Sequence, residues 1–471
     1  MYSDAMFLQI ETTTLMKTHI VLQQKGRYLE GDTDTPISLF LKNPHGILLE
    51  SAEVDGKWGR YSVLASDFRL LAHCKKGKLE LTINDDRLAE LSLLNGSNFL
   101  DGVRQLLKII DIQPDASFVK MPPITRALYG YLSYGISGLC LGRLAKAITE
   151  DEAAACLVLP GHVLLFDHLY NRLAELKLEG SAQPVSAPQP AQPPCVGEIT
   201  CIPSRDEFIR QVESIREQLK QGEAIQVVLS TRFQSTFSGD AFTLYRRLRR
   251  VNPSPYMFYM DLPEITMMGS SPELLVRCKA NQLQLSPIAG TRKRGKSDEE
   301  DSLLAADLLQ DPKERAEHLM LVDLGRNDLG RLARPGTVNV ERQMEVERFS
   351  HVMHLTSRVT AQLDPAYDAV DIITATFPAG TVSGAPKVRA MEIIAETEKC
   401  KRGPYAGCIG WIGFDKDTVN LDLGITIRSL WIQNGQIFWQ SGAGIVFDSV
   451  PENEYAECQN KAAIIQTVIK G

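Results

Sequence analysis

Two pairs of glutamates spaced three residues apart, Glu314 with Glu317 and Glu454 with Glu457, have the plainest chemical capacity in this chain. On a helix, residues at i and i+3 share a face, so each pair presents two carboxylates side by side. Four carboxylates brought together without histidine or cysteine suit a hard divalent cation. Mg2+ is the natural occupant, because it accepts a few protein carboxylates and completes its shell with water and substrate oxygens. Taken singly, each pair also reads as a solvated helix face. Glu273, in Gly269-Ser270-Ser271-Pro272-Glu273-Leu274-Leu275, adds a carboxyl among apolar neighbours. Burial there raises its pKa and keeps a proton ready for donation. The preceding Ser-Pro equally suits the first turn of a helix.

Such groups act only if the surrounding elements hold them. The pattern beyond residue 197 alternates apolar runs at 225–230, 257–260, 338–340, 409–414, 425–430 and 437–440, read as strands, with helical spacing at 205–221, 303–321 and 388–394. Ser204 with Glu207 three residues on is the sequence signature of a capping box. Strands outnumber helices, and turns such as Gln433-Asn434-Gly435 are of hairpin length. An α+β fold is expected, with large antiparallel sheets packed together and flanked by helices. The stretch Gly180 to Pro194 is rich in Pro, Ala and Gln and cannot bury apolar surface. It divides the chain into residues 1–180, a linker at 181–196 and residues 197–471.

The chain has 471 residues, 44% of them hydrophobic, and a formal net charge of -7. No basic stripe breaks the mixture of signs, which argues against a nucleic-acid partner. Arg246, Arg247, Arg249 and Arg250 read as a solvated helix face. Nine cysteines lie scattered without metal-ligand spacing, and their odd count argues against a disulfide framework. No apolar run is long enough to span a bilayer and no apolar leader opens the chain. A cytoplasmic protein without a membrane partner is expected.

Five strings carry a resemblance: Pro287-Ile288-Ala289-Gly290-Thr291, the run 314–318, the run 377–387 from Phe377 to Lys387, Gly442-Ala443-Gly444, and the run 454–461 ending in Lys461. Together they resemble the chorismate-utilising enzymes, and among these the large subunits of anthranilate synthases most closely, strongly over 197–471 and more loosely over the first 180 residues. The resemblance implies that Glu314, Glu317, Glu454 and Glu457 are ligands of Mg2+ or support its water shell. It also implies that Glu273 protonates the departing ring hydroxyl, that His354 removes the ring proton as pyruvate leaves, and that Thr381 contacts substrate beside that histidine. His351 reads as structural. Arg428 and Tyr405 would bind the enolpyruvyl carboxylate, with Gly290, Thr291, Gly442, Ala443, Gly444 and Lys461 completing the cradle.

Two positions select among family members. Water-using relatives carry a lysine base at Gln226, and glutamine cannot deprotonate water, so ammonia is the expected nucleophile. Many aminodeoxychorismate synthases carry an attacking lysine at Ala289, and alanine cannot form that adduct. Glu50 and Ser51, with Pro255, Tyr256 and Met257, resemble a tryptophan feedback site. The expected activity converts chorismate and ammonia to anthranilate and pyruvate under tryptophan inhibition. With no glutaminase signature in the chain, a glutamine amidotransferase subunit is the implied partner, in a hetero-oligomer. An aminodeoxychorismate synthase subunit, or a non-catalytic subunit that binds tryptophan or chorismate, are the other readings.

Overall fold

Runs of alternating apolar residues drive this chain into strands that pair almost wholly antiparallel, and the pairings form one continuous network whose two arms, the first and second sheets, share one long strand pair. The computed structural model describes residues 19–52, 59–149, 152–180, 192–348 and 352–471. The shared pair joins Tyr61–Lys75 to Ala154–Asp167, from Tyr61 opposite Asp167 to Lys75 opposite Ala154, with a register shift between Phe68 and Leu70. From Tyr61–Lys75 the first sheet runs through Ile47–Glu50, Tyr256–Leu262, Ile265–Ser271, Ser429–Gln433, Gln436–Ile445 and Gln226–Ser238. From Ala154–Asp167 the second runs through Ala127–Leu132, Cys408–Gly413, Leu421–Ile425, Leu274–Lys279, Gln282–Leu285 and Val352–Gln362. Ile288–Lys293 and Asn339–Arg348 close its far edge. The α+β expectation, with large antiparallel sheets flanked by helices, is what the chain adopts.

The inner faces of the two sheets form one core: Phe258, Met260 and Met267 of the first belong to the same buried cluster as Val276, Ile409 and Leu423 of the second. At one point of contact a Cβ on Gly424 would lie 2.6 Å from Cγ of Tyr256, so glycine lets the sheets meet there. Residues 1–180 and 197–471 are joined strand to strand. Ile47–Glu50 is flanked by Tyr61–Lys75 and Tyr256–Leu262, and Ala127–Leu132 pairs with Cys408–Gly413. Residues 181–191 of the expected linker lie outside the described residues, while Cys195–Val196 already pairs with the end of Gln226–Ser238.

Several local expectations are corrected. The run 303–321 is not one helix but parts of two, Asp298–Gln310 and Pro312–Gly330, because Asp311-Pro312 ends the first and caps the second: the Asp311 carboxylate accepts from the amides of Lys313 and Glu314. The run 425–430 is not one strand. Leu421–Ile425 lies in the second sheet and Ser429–Gln433 in the first, and between them Arg428 takes φ 50 as the chain crosses from sheet to sheet. Ser204 is the N-cap of Arg205–Lys220 but makes no side-chain capping bond, and Glu207 pairs instead with Lys399. The arginine cluster is only half solvated, since Arg249 binds Glu50 and Arg247 donates to the Val468 carbonyl. No helix among the described residues is long and apolar enough to cross a membrane. All nine cysteines are free.

Candidate active site

Glu273 occupies the link between the strands Ile265–Ser271 and Leu274–Lys279, not the start of a helix. Its backbone carbonyl accepts from the amide of Ile425, and its carboxylate accepts from the Thr381 hydroxyl at 2.8 Å. Burial pushes its pKa up, opposed by the Thr381 hydrogen bond and by the charges of Lys461 and Arg428. Thr381 is placed by the 3-10 turn Gly380–Val382, which follows the helix Ala369–Thr376. The Glu273 carboxyl thus carries the signature of a proton donor, with two cations near enough to steady its anion once the proton has gone.

Arg428 stands at the crossover between sheets, where Glu273, Tyr405 and Glu457 all act on its charge while burial works against it. Tyr405 is buried, which raises its phenol pKa. The Gly442-Ala443-Gly444 run lies opposite Ser230, Leu229 and Val228 in the first sheet. Ala443 turns into a hydrophobic cluster, whereas its neighbours border the site. A Cβ on Gly442 would come within 2.8 Å of the Tyr405 hydroxyl, and one on Gly444 within 2.5 Å of the Gln226 amide nitrogen. Lys461 reaches back from the helix Pro451–Lys470 to donate to the Gly442 carbonyl at 2.9 Å and to pair with Glu457 at 2.7 Å.

His354 lies opposite Thr291 in the second sheet, beside a bulge at Gly290, whose φ is 70. Its Nδ1 is 2.9 Å from the Gly290 carbonyl and 3.1 Å from the Thr291 hydroxyl. The carbonyl can only accept, so Nδ1 carries the proton and the neutral ring has its lone pair on Nε2. Burial lowers the His354 pKa, opposed by the Gly290 hydrogen bond and aided by the Arg428 charge, which favours the neutral, basic ring. His351 lies outside the described residues. Ala289, opposite Leu355, is buried and offers no nucleophile.

Both glutamate pairs sit on helices as expected. Glu314 pairs with Arg292 at 3.0 Å, and Glu317 accepts from the Gln226 amide at 3.1 Å. Burial raises the pKa of Glu314, with Glu317 and Asp311 adding to the rise and Arg292 opposing it. Burial also raises Glu454, with Glu457 adding and Ser449, Lys313 and Lys461 opposing. No three His, Cys, Asp or Glu side chains among the described residues are gathered to enclose an ion. A closed all-protein cage therefore does not fit. Each pair alone could offer carboxylate oxygens to an Mg2+ that takes the rest of its shell from water and substrate, although Arg292 and Lys461 already hold one carboxylate of each pair.

The residues expected to form a tryptophan site come from distant parts of the chain, and not all of them share one face. Glu50 lies opposite Met257 between paired strands, so the two share a face. The Glu50 side chain is fully buried, holding Tyr245 at 2.6 Å and Arg249 at 2.9 and 3.0 Å. The Ser51 carbonyl accepts from Gly59, and Pro255 follows Ser254, whose carbonyl accepts from Ala52. Tyr256 points to the opposite face, where its hydroxyl donates to Asp422 at 2.7 Å and accepts from Arg277 at 3.2 Å.

Sequence reasoning missed Arg402 and Glu398. Arg402 is enclosed, donating to the carbonyls of Val382 and Val228 and to both Glu398 oxygens, with its guanidinium 4.7 Å from the Tyr134 ring and 5.7 Å from that of Tyr405. One cation thus ties the Thr381 turn to the Gln226 strand. A lysine- and arginine-rich loop, Lys399 to Arg402, reads as surface, and no spacing rule marks it as interior.

With this geometry in view, comparison with known proteins is decisive at the level of family. The sequence profile of chorismate binding enzymes matches residues 68–467. The chain belongs to that family. Anthranilate synthase component 1 of Aquifex aeolicus (strain VF5) is 39% identical over 477 residues, 93% of each chain. Aminodeoxychorismate synthase component 1 of Bacillus subtilis (strain 168) is 38% identical, over 90% of this chain and 92% of its own. Among solved structures, anthranilate synthase component I from Streptococcus pneumoniae TIGR4 superposes with a TM-score of 0.72 at 33% identity, covering 93% of this chain and 99% of its own. The menaquinone-specific isochorismate synthase MenF from Escherichia coli has a TM-score of 0.72 at 19% identity over 98% of each chain, a likeness of fold alone.

Proposed function

We propose that this chorismate binding enzyme is the large subunit of an anthranilate synthase, which joins ammonia to chorismate and releases anthranilate and pyruvate. The observation that carries the reading is a buried acid, Glu273, and a buried imidazole, His354, both within reach of the Arg428 charge, with no amine at position 226 or 289. Arg428, Lys461 and Tyr405 hold the enolpyruvyl carboxylate while the open amides of the glycine run let substrate approach the backbone. Glu273 gives its proton to the ring 4-hydroxyl, which leaves as water when ammonia bonds to carbon 2. His354 then accepts the carbon 2 proton through Nε2, and the pyruvate half departs as the ring becomes aromatic. Mg2+, held by the carboxylates of Glu314, Glu317, Glu454 and Glu457 with water, would neutralise the ring carboxylate and draw density from the diene.

Ammonia comes, in this reading, from a glutamine amidotransferase partner, because the chain has no glutaminase nucleophile of its own. Tryptophan bound beside Glu50, Ser51, Pro255 and Met257 would inhibit. An aminodeoxychorismate synthase is the second reading, supported by the Bacillus subtilis relative at 38% identity. A catalytically silent subunit is disfavoured, since the acid, the carboxylate pairs and Lys461 are all in place. The test is to give purified protein chorismate, MgCl2 and ammonium chloride and identify the product. Anthranilate is expected, and none should form with excess chelator. Aminodeoxychorismate or isochorismate as the main product overturns the assignment, and undiminished turnover in chelator overturns the Mg2+ role.

A further inference from the structure

Behind Glu273 lies a cavity of about 50 Å3, large enough for a few waters. Glu273, Ser286, Leu324, Asp328, Thr376 and Thr381 contribute to its wall. None of Arg428, Lys461, Tyr405, His354 or the glycine run does, so the cavity meets the substrate site only through Glu273 and Thr381. On its far side is an ion pair that no step above uses: Lys387 donates to Asp328 at 2.7 Å and to the Thr376 carbonyl at 3.2 Å, with both side chains more than nine-tenths buried. Sequestering such a pair from water is costly and is weak evidence for stability, which makes a working role worth seeking.

We propose that water in this cavity links Glu273 to the Asp328–Lys387 pair and recharges the spent acid from behind, so that Asp328 is the relay carboxylate and Lys387 its positioning residue. The inference rests on the assignment of Glu273 as the acid. The protons balance. Glu273 loses one as the carbon–oxygen bond breaks and water leaves; the nitrogen, on bonding to carbon, sheds one to solvent. A cavity water passes one back to the Glu273 carboxylate and takes its replacement through Asp328, which regains from solvent the proton that the nitrogen gave up, so no net proton is gained or lost. Burial raises the pKa of Asp328 against the lowering charges of Lys387 and Arg331, bringing it nearer that of the group it serves. Glu273 faces Thr381, Lys461 and Arg428, and Lys387 also faces Cys140; among the described residues that line the cavity, Glu273 and Asp328 are the carboxylates.

The step is separable from folding by time. On this proposal resting Glu273 holds a proton, so the first turnover needs no relay and later ones do. Replacing both partners, Asp328→Asn with Lys387→Gln, removes the charges together and avoids a lone buried ion. Rapid quench of this double variant with chorismate, Mg2+ and ammonium is expected to show a first turnover at the wild-type rate and steady turnover about tenfold slower. The solvent deuterium isotope effect on the slow phase should exceed that of wild type. Gly325→Val gives an independent arm. Gly325 borders the cavity, and a Cβ there makes only ordinary contacts, the nearest at 3.4 Å, so valine fills the space and leaves the pair intact. The same burst is expected. A double variant slowed equally in both phases has a structural defect and overturns the relay, as do wild-type kinetics in either protein. A wild type that makes no aromatic product overturns instead the assigned function.

Discussion

At the scale of single residues, the proposed chemistry depends on one carboxyl whose pKa burial raises. Glu273→Gln preserves shape and the Thr381 contact but has no proton to give, so turnover is expected to fall by about 10²- to 10⁴-fold. The same change should stabilise the protein. The folded pKa of Glu273 lies above its unfolded value, so folding is favoured most below the unfolded value and weakens as pH rises through the folded one. Glutamine escapes that loss, and thermal melts should show the variant gaining on wild type at pH 8 and not at pH 4. Equal melting shifts at both pH values would refute the buried-acid account. Gln226→Lys tests the nucleophile: an amine there supplies the base that water lacks, and chromatography should reveal a trace of isochorismate absent from wild type. Glu273, His354 and Gln226 were legible because their strings stand close to known motifs. Arg402, Asp328 and Lys387 were not, since a charged residue in a sequence carries no mark of burial, and only the folded neighbours show it.

At the scale of elements, spacing reveals period and not partner. The i,i+3 glutamates announced their helices, and Asn434-Gly435, with φ of 52 and 70, is the hairpin turn expected from its sequence. The run 425–430 misled because both sheets want the same apolar residues, and nothing in Ile425-Thr426-Ile427 says that the chain changes sheets before Arg428. Likewise the helical periodicity of 303–321 survives across Pro312, while the backbone does not. Strand pairing makes a sharp prediction at Gly444. An added methyl would displace the Gln226 amide, the far end of a side chain, without moving backbone. Gly444→Ala should therefore fold normally yet lose the Gln226 bond to Glu317, with kcat/KM for chorismate reduced on the order of tenfold or more. Normal kinetics in this variant would mean that the Gln226–Glu317 contact is dispensable.

At the scale of the whole molecule, the face bearing Glu50 and Met257 and the site bearing Glu273 and Arg428 are connected through strands. Tyr256, next to Met257, reaches the opposite face and engages Asp422 and Arg277, on the strands that lead into Arg428 and away from Glu273. Ser51→Phe should fill the proposed tryptophan pocket, abolishing inhibition while leaving ammonia-dependent turnover within about twofold, a small cost in barrier terms. Coupling between sites is reciprocal, so wild-type tryptophan affinity measured by calorimetry should weaken when chorismate is saturating. An affinity indifferent to chorismate would exclude coupling. The shared strand pair and the strand Ile47–Glu50, wedged between Tyr61–Lys75 and Tyr256–Leu262, have a bearing on descent as well. A part that could be appended or deleted as a cassette would leave the rest able to fold, but removal of residues 1–180 would strip both sheets of interior strands. Lineages of this protein can alter what that part binds only by point substitution, and they inherit its strands whatever it binds.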